Sequence, residues 1–308
     1  MAVAYWRNCT MRTKSGFLAI AAVAALTLAG CANNQASEPG GTASGTASEV
    51  AVDDAAAALL PADIADAGKL VIGVNAAYAP NEFKNDAGEP IGWAVELTNA
   101  MAAKLGVSTD FRESAFDKII PSITGGTYDV GMSSFTDNAE REKVVDFVNY
   151  YNAGIQWAQP IGKSVDPSNA CGLTVSVQAT TFEETDELPA KSAECTAAGK
   201  DPINILKFDS QDDAANALAL GRADAMSADS PVTLYAVSKQ KDKIEVAGDA
   251  FDVAPYGMAV DKGSELGKAL QAALQSLVDD GTYKDILDNW GVADGGIEQI
   301  TINAGAAG

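Results

Sequence analysis

Beyond about Ala62 the apolar positions of this chain alternate between short continuous runs and helical spacing, the pattern of strands interleaved with helices. Lys69–Asn75 (KLVIGVN) has strand length and composition. Val95–Leu105 sets Leu97, Met101 and Leu105 four apart and stops at Gly106, which predicts a helix ended by glycine. Ser264–Asp280 predicts a longer helix, with Ser264 at its N-cap and Leu266, Leu270, Leu274, Leu277 and Val278 on one face. Gly281 ends it, and Thr282–Trp290 predicts a last short helix before Gly291. Gly154–Lys163 and Phe251–Lys262 carry Pro and Gly within apolar stretches and predict extended segments.

One pattern occurs twice. Phe111-Arg112-Glu113-Ser114 leads into an apolar helix, then Gly126-Thr127-Tyr128-Asp129 and a strand at Val130–Ser133. Phe208-Asp209-Ser210 leads into Gln211–Leu220, then Gly221-Arg222-Ala223-Asp224 and a strand at Ala225–Ser227. Both copies read as strand, Ser-x-x-Asp cap, helix, Gly-x-x-Asp, and a strand holding Met-Ser. Two such α/β units predict two lobes, with Gly154–Lys163 and Phe251–Lys262 as the strands joining them. If both strands cross, the first lobe is discontinuous and takes the C-terminal helices.

The first 61 residues follow neither pattern. Arg12 and Lys14 precede an uncharged apolar run, Gly16–Gly30, too short to span a bilayer comfortably. It ends in Leu28-Ala29-Gly30-Cys31, which resembles the bacterial lipoprotein box. Residues 1–31 are expected to be a signal peptide with Cys31 as the lipidation site, and Met11 would start a more typical signal than Met1. Residues 32–61 are poor in large apolar side chains and are expected to form a flexible tether. More than one acyl chain on Cys31 would make such an anchor stable.

Composition then narrows the chemistry. There are 308 residues, 21 Lys+Arg against 42 Asp+Glu, and no histidine. Serine and cysteine hydrolase chemistry based on a histidine base is therefore excluded, as is any zinc site containing histidine. The acidic balance argues against nucleic acid as a partner. Of four cysteines, Cys9 lies in the discarded segment and Cys31 would carry lipid. Cys171 and Cys195 remain, an even pair in an oxidising compartment, and are expected to form a disulfide. No C-x-x-C occurs. Gly162-Lys163-Ser164 imitates the end of a P-loop, but Trp157 stands where its first glycine belongs.

With these elements in place the chain resembles the amino-acid-type (family 3) extracellular solute-binding proteins of ABC importers. The stretches that carry the resemblance are Lys69–Lys84, Gly92–Leu105, Phe116–Arg141, Val145-Asp146-Phe147, Gly221–Pro231, Ala254–Asp261 and Asp280–Gly291. Their order and spacing are the specific signal, over about residues 65–295. The resemblance implies a two-lobed α/β periplasmic-binding-protein type II (Venus-flytrap) fold with two hinge strands. Lobe 1 is expected at 62–158 plus 255–308, and lobe 2 at 159–254.

It also implies a site. Arg141 stands where the family places the arginine that binds the ligand carboxylate, and a guanidinium fork suits a carboxylate. Ser134 and Thr136 would add a backbone group and a hydroxyl, and Thr180 and Thr181 would complete the carboxylate site from the second lobe. A glycine often precedes that threonine in the family, whereas Ala179 and Thr180 stand there here. Asp229 matches the carboxylate for the ligand ammonium, and Tyr78 and Phe116 match the aromatic walls. Asn75 stands where members that bind cationic side chains often carry Asp, and a neutral amide cannot balance a buried cation. With Gln178 and Asn81 this predicts an uncharged, hydrogen-bonding side-chain pocket and a polar neutral amino acid as ligand. Trp93 and Ala94 replace a frequent Phe-Asp pair, a change expected to bear on contacts between the lobes.

The expected role is capture rather than catalysis. The protein would close on an amino acid and, as a lipid-anchored monomer outside the cell membrane, dock on a permease with its ATPase. No cofactor and no metal are expected. Two alternatives share the scaffold. One is a dehydratase of the cyclohexadienyl (prephenate/arogenate) type, with Glu183 or Glu184 as candidate acid, although both also read as surface-loop glutamates. The other is a sensing lipoprotein that presents the occupied lobes to a receptor.

Overall fold

The computed structural model describes residues 50–305, and the expected signal segment, Cys31 and most of the expected tether lie outside them. In chain order α1 (Asp54–Ala57) and α2 (Ala62–Ala67) lead into β1 (Lys69–Val74). A small antiparallel sheet follows, formed by β2 (Ala77–Tyr78), β3 (Glu82–Lys84) and β4 (Pro90–Ile91). Then come α3 (Trp93–Lys104), β5 (Ser108–Glu113), α4 (Phe116–Thr124), β6 (Val130–Thr136) and the long strand β7 (Val145–Pro160). The second half holds β8 (Thr174–Gln178), α5 (Leu188–Ala197), β9 (Asn204–Phe208), α6 (Gln211–Ala219), β10 (Ala225–Asp229) and α7 (Ser230–Lys239). A second long strand, β11 (Ile244–Asp261), returns to the first half, followed by α8 (Leu266–Asp279), α9 (Thr282–Trp290) and β12 (Thr301–Ile302).

The repeat seen in the sequence is a repeat of the fold. β1 pairs in parallel with β5 and β6, and β8 pairs in parallel with β9 and β10. The Gly-x-x-Asp carboxylates do the same work in both halves. Asp129 Oδ2 accepts from Val71 N at 2.8 Å and Asp224 Oδ2 accepts from Thr174 N at 2.9 Å, each pinning the third strand to the start of the first. The helix caps differ. Ser210 caps α6 by accepting from Asp213 N. α4 starts after Ala115 without a side-chain cap; Ser114 donates its N–H to Val74 O and its Oγ to Ala115 O. At α8 the helix begins at Leu266, and Ser264 Oγ accepts from Leu266 N.

β7 and β11 run antiparallel to each other through the middle of the sheet, and each changes core along its length. Val148, Tyr150, Tyr151 and Ala153 of β7 pack with Leu70, Trp93, Leu97 and Leu270, whereas Ile155 and Trp157 pack with Val175, Val177 and Leu188. The change falls at Gly154, earlier than the expected boundary at 158. A Cβ there would come within 3.0 Å of Phe251 O, so the two strands press together at this point. On β11 the register with β7 shifts on both sides of Phe251, and Asp252 takes φ +48°. Two α/β lobes joined by two strands are the expected fold class.

Part of the stretch expected as a tether is helical. Residues 54–57 form α1, capped by Asp53, whose carboxylate accepts from Ala55 N and Ala56 N. Ala56 is buried, and Val50 and Leu60 pack against the first core. The run Ala55–Ala58 favours helix, and Leu60 gives it an apolar contact. Cys171 and Cys195 form a disulfide that ties the entry to β8 to α5.

The last described residues act as a strap. β12 pairs with β7, Asn303 Oδ1 accepts from Phe147 N, and Asn303 Nδ2 donates to Asp146 Oδ1. Gly305 N donates to Asp137 Oδ2, which also accepts from Asn149 Nδ2. The strap thereby holds the loop that follows β6.

Candidate functional site

That loop carries Arg141. Its N–H donates to Asn138 Oδ1 at 2.9 Å, which winds a short 3-10 turn at Arg141–Lys143. The guanidinium lies over the rings of Phe116 and Phe135, 5.7 Å from each centroid, and these rings stack on one another. Nη1 donates to Thr136 O at 2.8 Å, its one side-chain hydrogen bond among the described residues. Burial lowers the Arg141 pKa, opposed by the nearby acids Glu183, Asp186, Asp229 and Asp137. An arginine remains charged under such a shift, so most of its N–H groups point into the cleft without a partner.

Asp229 faces it from the second lobe. It ends β10 and precedes Ser230-Pro231 at the start of α7, yet its side chain makes no cap bond. Its Oδ2 instead accepts from Tyr78 Oη at 2.7 Å, across the cleft, and its own N–H donates back to Tyr78 Oη. Burial raises the carboxyl pKa, and the hydrogen bond from Tyr78 together with the charge of Arg141 pulls it back.

A second contact crosses between the lobes. Asn75 Nδ2 donates to Ser114 O, which turns Asn75 Oδ1 toward Gln178, and Gln178 Nε2 donates to it at 2.9 Å. Gln178 Nε2 also reaches Asp209 O, so the amide orientation is fixed and Oε1 is left buried without a partner.

Asn75, Tyr78, Phe116, Ser134, Thr136, Arg141, Gln178, Thr181 and Asp229, named from sequence, line this one pocket. Thr180 does not. It takes φ +66° where a glycine is common, and its N–H is held by Glu184 Oε2 at 3.0 Å. Asn81 is also outside the pocket. It is fully buried beneath it, accepting from Trp93 Nε1 and donating to Ser134 Oγ, which in turn donates to Glu82. Ser134 takes φ +48°, so this buried network holds a strained residue at the end of the site. Gly92 has φ +130°, and a Cβ there would lie 2.1 Å from Asn81 O; only glycine lets α3 start this close.

Of the other lining residues, Ser133 and Phe182 were not named from sequence, and Glu183 was named only as a candidate acid of the dehydratase alternative. Glu183 and Glu187 stand on a π-helical turn, Glu183–Glu187, and both are buried. Nothing in the polar run Glu183-Glu184-Thr185-Asp186-Glu187 signals burial, because a π-turn places its side chains out of step with helical periodicity. Glu183 Oε1 has no partner. Glu187 sits behind it in the second core, accepting from Trp157 Nε1 and Ser227 Oγ, and burial raises its pKa to about 7. Glu184 is buried as well, accepting from Thr180 N and pairing with Lys207.

The lobes are closed. The cavity between these residues has about 10 Å³, room for about one water. Beside it, along the hinge, a wider space of about 260 Å³ is lined by Thr136, Ile155, Phe182, Asp229, Val253 and Tyr256, among others. No helix among the described residues is long and apolar enough to cross a membrane.

The model of bacterial extracellular solute-binding proteins, family 3, matches residues 70–293. The arginine-binding protein ArgT of Corynebacterium glutamicum is 45% identical over 248 residues, covering 80% of this chain and 82% of that protein. A solved ancestral arginine-binding protein bound to arginine is 33% identical with a TM-score of 0.66, covering 72% of this chain and 98% of its own. The ancestral amino acid-binding protein AncCDT-1, described as a precursor of cyclohexadienyl dehydratase, is 30% identical with a TM-score of 0.64, covering 74% and 97%.

Proposed function

The chain belongs to the family 3 bacterial extracellular solute-binding proteins, and from that premise we propose that it captures a free α-amino acid between its lobes for an ABC importer. One observation carries the reading. A guanidinium with unpartnered N–H groups, Arg141, faces a carboxylate free of any capping duty, Asp229, across a cleft that two hinge strands can open. That is one cation and one anion for the two ends of a zwitterion. Thr136 and Thr181 flank the first, and Tyr78 and Phe116 form the walls.

The sequence alone favours a polar neutral side chain, because Asn75 is uncharged. The pocket adds a buried carboxyl group, Glu183, and an unpartnered acceptor, Gln178 Oε1. Two acceptors without donors suit a side chain rich in N–H groups, and arginine supplies five in a fixed fork. The similarity to arginine-binding proteins supports the same choice. We therefore read the ligand as arginine. Glutamine is the second reading, favoured by the neutral pair Asn75 and Gln178, which a carboxamide also satisfies. Docking on a permease with its ATPase, lipid anchoring at Cys31 and a monomeric state complete the proposal.

The test is calorimetric titration of the purified protein, cleared of bound amino acids, with arginine and glutamine. Arginine binding that is lost in both Arg141→Ala and Asp229→Ala supports the reading. Binding unaffected by both substitutions refutes it. Turnover of prephenate abolished by Glu183→Gln would replace it with the dehydratase alternative.

A further inference from the structure

Glu183 and Asp229 line the same small pocket in the closed cleft. Glu183 is 2% exposed and Asp229 8% exposed. Two ionised carboxylates are both acceptors, and Glu183 Oε1 has no partner. Such a pair persists only with a proton or a cationic group between its members. Independently, Gln178 Oε1 in the same pocket is a buried acceptor without a donor.

We propose that Glu183 is a second acidic member of the ligand site, that it shares one proton with Asp229 in the closed cleft, and that the cationic group of an incoming amino acid takes that proton's place. The proton leaves to solvent as the ammonium or guanidinium arrives, and the summed charge of pair plus occupant is unchanged. This deepens the amino acid reading and rests on it.

The surroundings fit. Facing the pair are Arg141 from the turn after β6, Tyr78 from β2, Tyr256 from β11, and Asp186 and Glu187 from the same π-turn. Arg141 is the one cation among them. The tyrosines are held neutral, their pKa values raised first by burial and then by the charge of Asp229. Burial raises the pKa of Glu183, and the charge of Asp229 raises it further. The sign follows. Below the upper pKa of the pair a ligand cation must expel the proton, so the dissociation constant rises about tenfold per pH unit of acidification. Above it the dependence vanishes.

The experiment is titration with arginine at pH 7 in phosphate and in Tris, whose ionisation heats differ. Wild type is expected to release about one proton per arginine, and Glu183→Gln close to none, with a dissociation constant that stays flat from pH 6 to 8. Binding by wild type with equal heats in the two buffers overturns the inference and leaves the amino acid reading standing. Release by Glu183→Gln equal to that of wild type also overturns it. If Glu183→Gln does not bind, Glu183→Asp decides: proton release on binding supports the pair, and binding without release refutes it. No heat from wild type with any amino acid sinks both readings together.

Discussion

Replacing Glu187 by glutamine should make the protein less sensitive to alkali. Glu187 is 6% exposed and hydrogen-bonded by Trp157 Nε1 at 3.0 Å and Ser227 Oγ at 2.9 Å. Burial is the largest influence on its carboxyl, and its pKa is pushed from the ordinary 4.5 to about 7. A carboxyl with a raised folded-state pKa holds its proton in the native protein after the unfolded chain has released it. Its contribution to stability is therefore fully present below pH 4.5 and lost as pH rises through 7. At about 1.4 kcal/mol per pKa unit the full loss is about 3 kcal/mol, of which about 2.5 falls between pH 5 and pH 8. Glutamine has nearly the same shape, keeps an oxygen for Trp157 or Ser227, and does not titrate. The assay is urea denaturation of wild type and Glu187→Gln at pH 5 and pH 8, followed by tryptophan fluorescence. The stability difference, variant minus wild type, should grow by about 2.5 kcal/mol from the lower to the higher pH, or roughly 1 M in urea midpoint. The charge of Glu183 adds to the Glu187 shift, while acids remote from Glu187 cancel in the difference. A difference that stays constant within about 0.5 kcal/mol would show that Glu187 is ionised and solvated, and would refute the reasoning.

Three further outcomes follow from the same geometry. Replacing both Cys171 and Cys195 by serine opens a loop with a sequence separation of 24, worth about 3.5 kcal/mol by chain entropy, and a loss under 1 kcal/mol in chemical denaturation would contradict it. Arg141→Lys keeps the charge but not the fork, and should weaken arginine binding at least about tenfold by calorimetry; a change within twofold would show that bidentate pairing is not used. Asn303→Ala removes the acceptor for Phe147 N and the donor to Asp146, at a cost of about 1–3 kcal/mol, and unchanged stability would show the strap to be passive.

The two lobes were legible because their signals are local. Each Gly-x-x-Asp pins one strand to the next, and apolar periodicity is strong in α8 and α9. Most of the pocket was legible through motif order. The misses have physical causes. Ser114 reads as a cap by spacing, but the helix starts one residue later, after Ala115, and the Ser114 hydroxyl donates to Ala115 O. Thr180 reads as a ligand contact because it neighbours Thr181, yet φ +66° turns it away. Asn81 and Asn75 look alike in sequence; Trp93 buries the first, and Ser114 O aims the second into the cleft. Glu183 was placed on the surface by its acidic neighbours, since no helical or strand period describes a π-turn.

These misplaced polar groups share a property that bears on how the site works. The closed cleft, with about 10 Å³, must open to admit an amino acid, so binding exchanges contacts instead of adding them. A ligand ammonium takes Asp229 Oδ2 from Tyr78, and a side-chain donor competes with the Asn75–Gln178 bond; these swaps are close to neutral. Net affinity must then come from groups that closure alone leaves unpaired. These are the free N–H groups of Arg141, Gln178 Oε1 and Glu183 Oε1. An unsatisfied buried polar group costs about 1–3 kcal/mol, and more when charged. Two such buried groups in one pocket, Gln178 Oε1 and Glu183 Oε1, make the closed state expensive when a single water fills it and favourable when a donor-rich zwitterion does. A micromolar dissociation constant corresponds to about 8 kcal/mol, which satisfying these groups approaches without any new apolar burial. The stability withheld from the closed lobes at this one place is thus the reserve from which ligand binding draws.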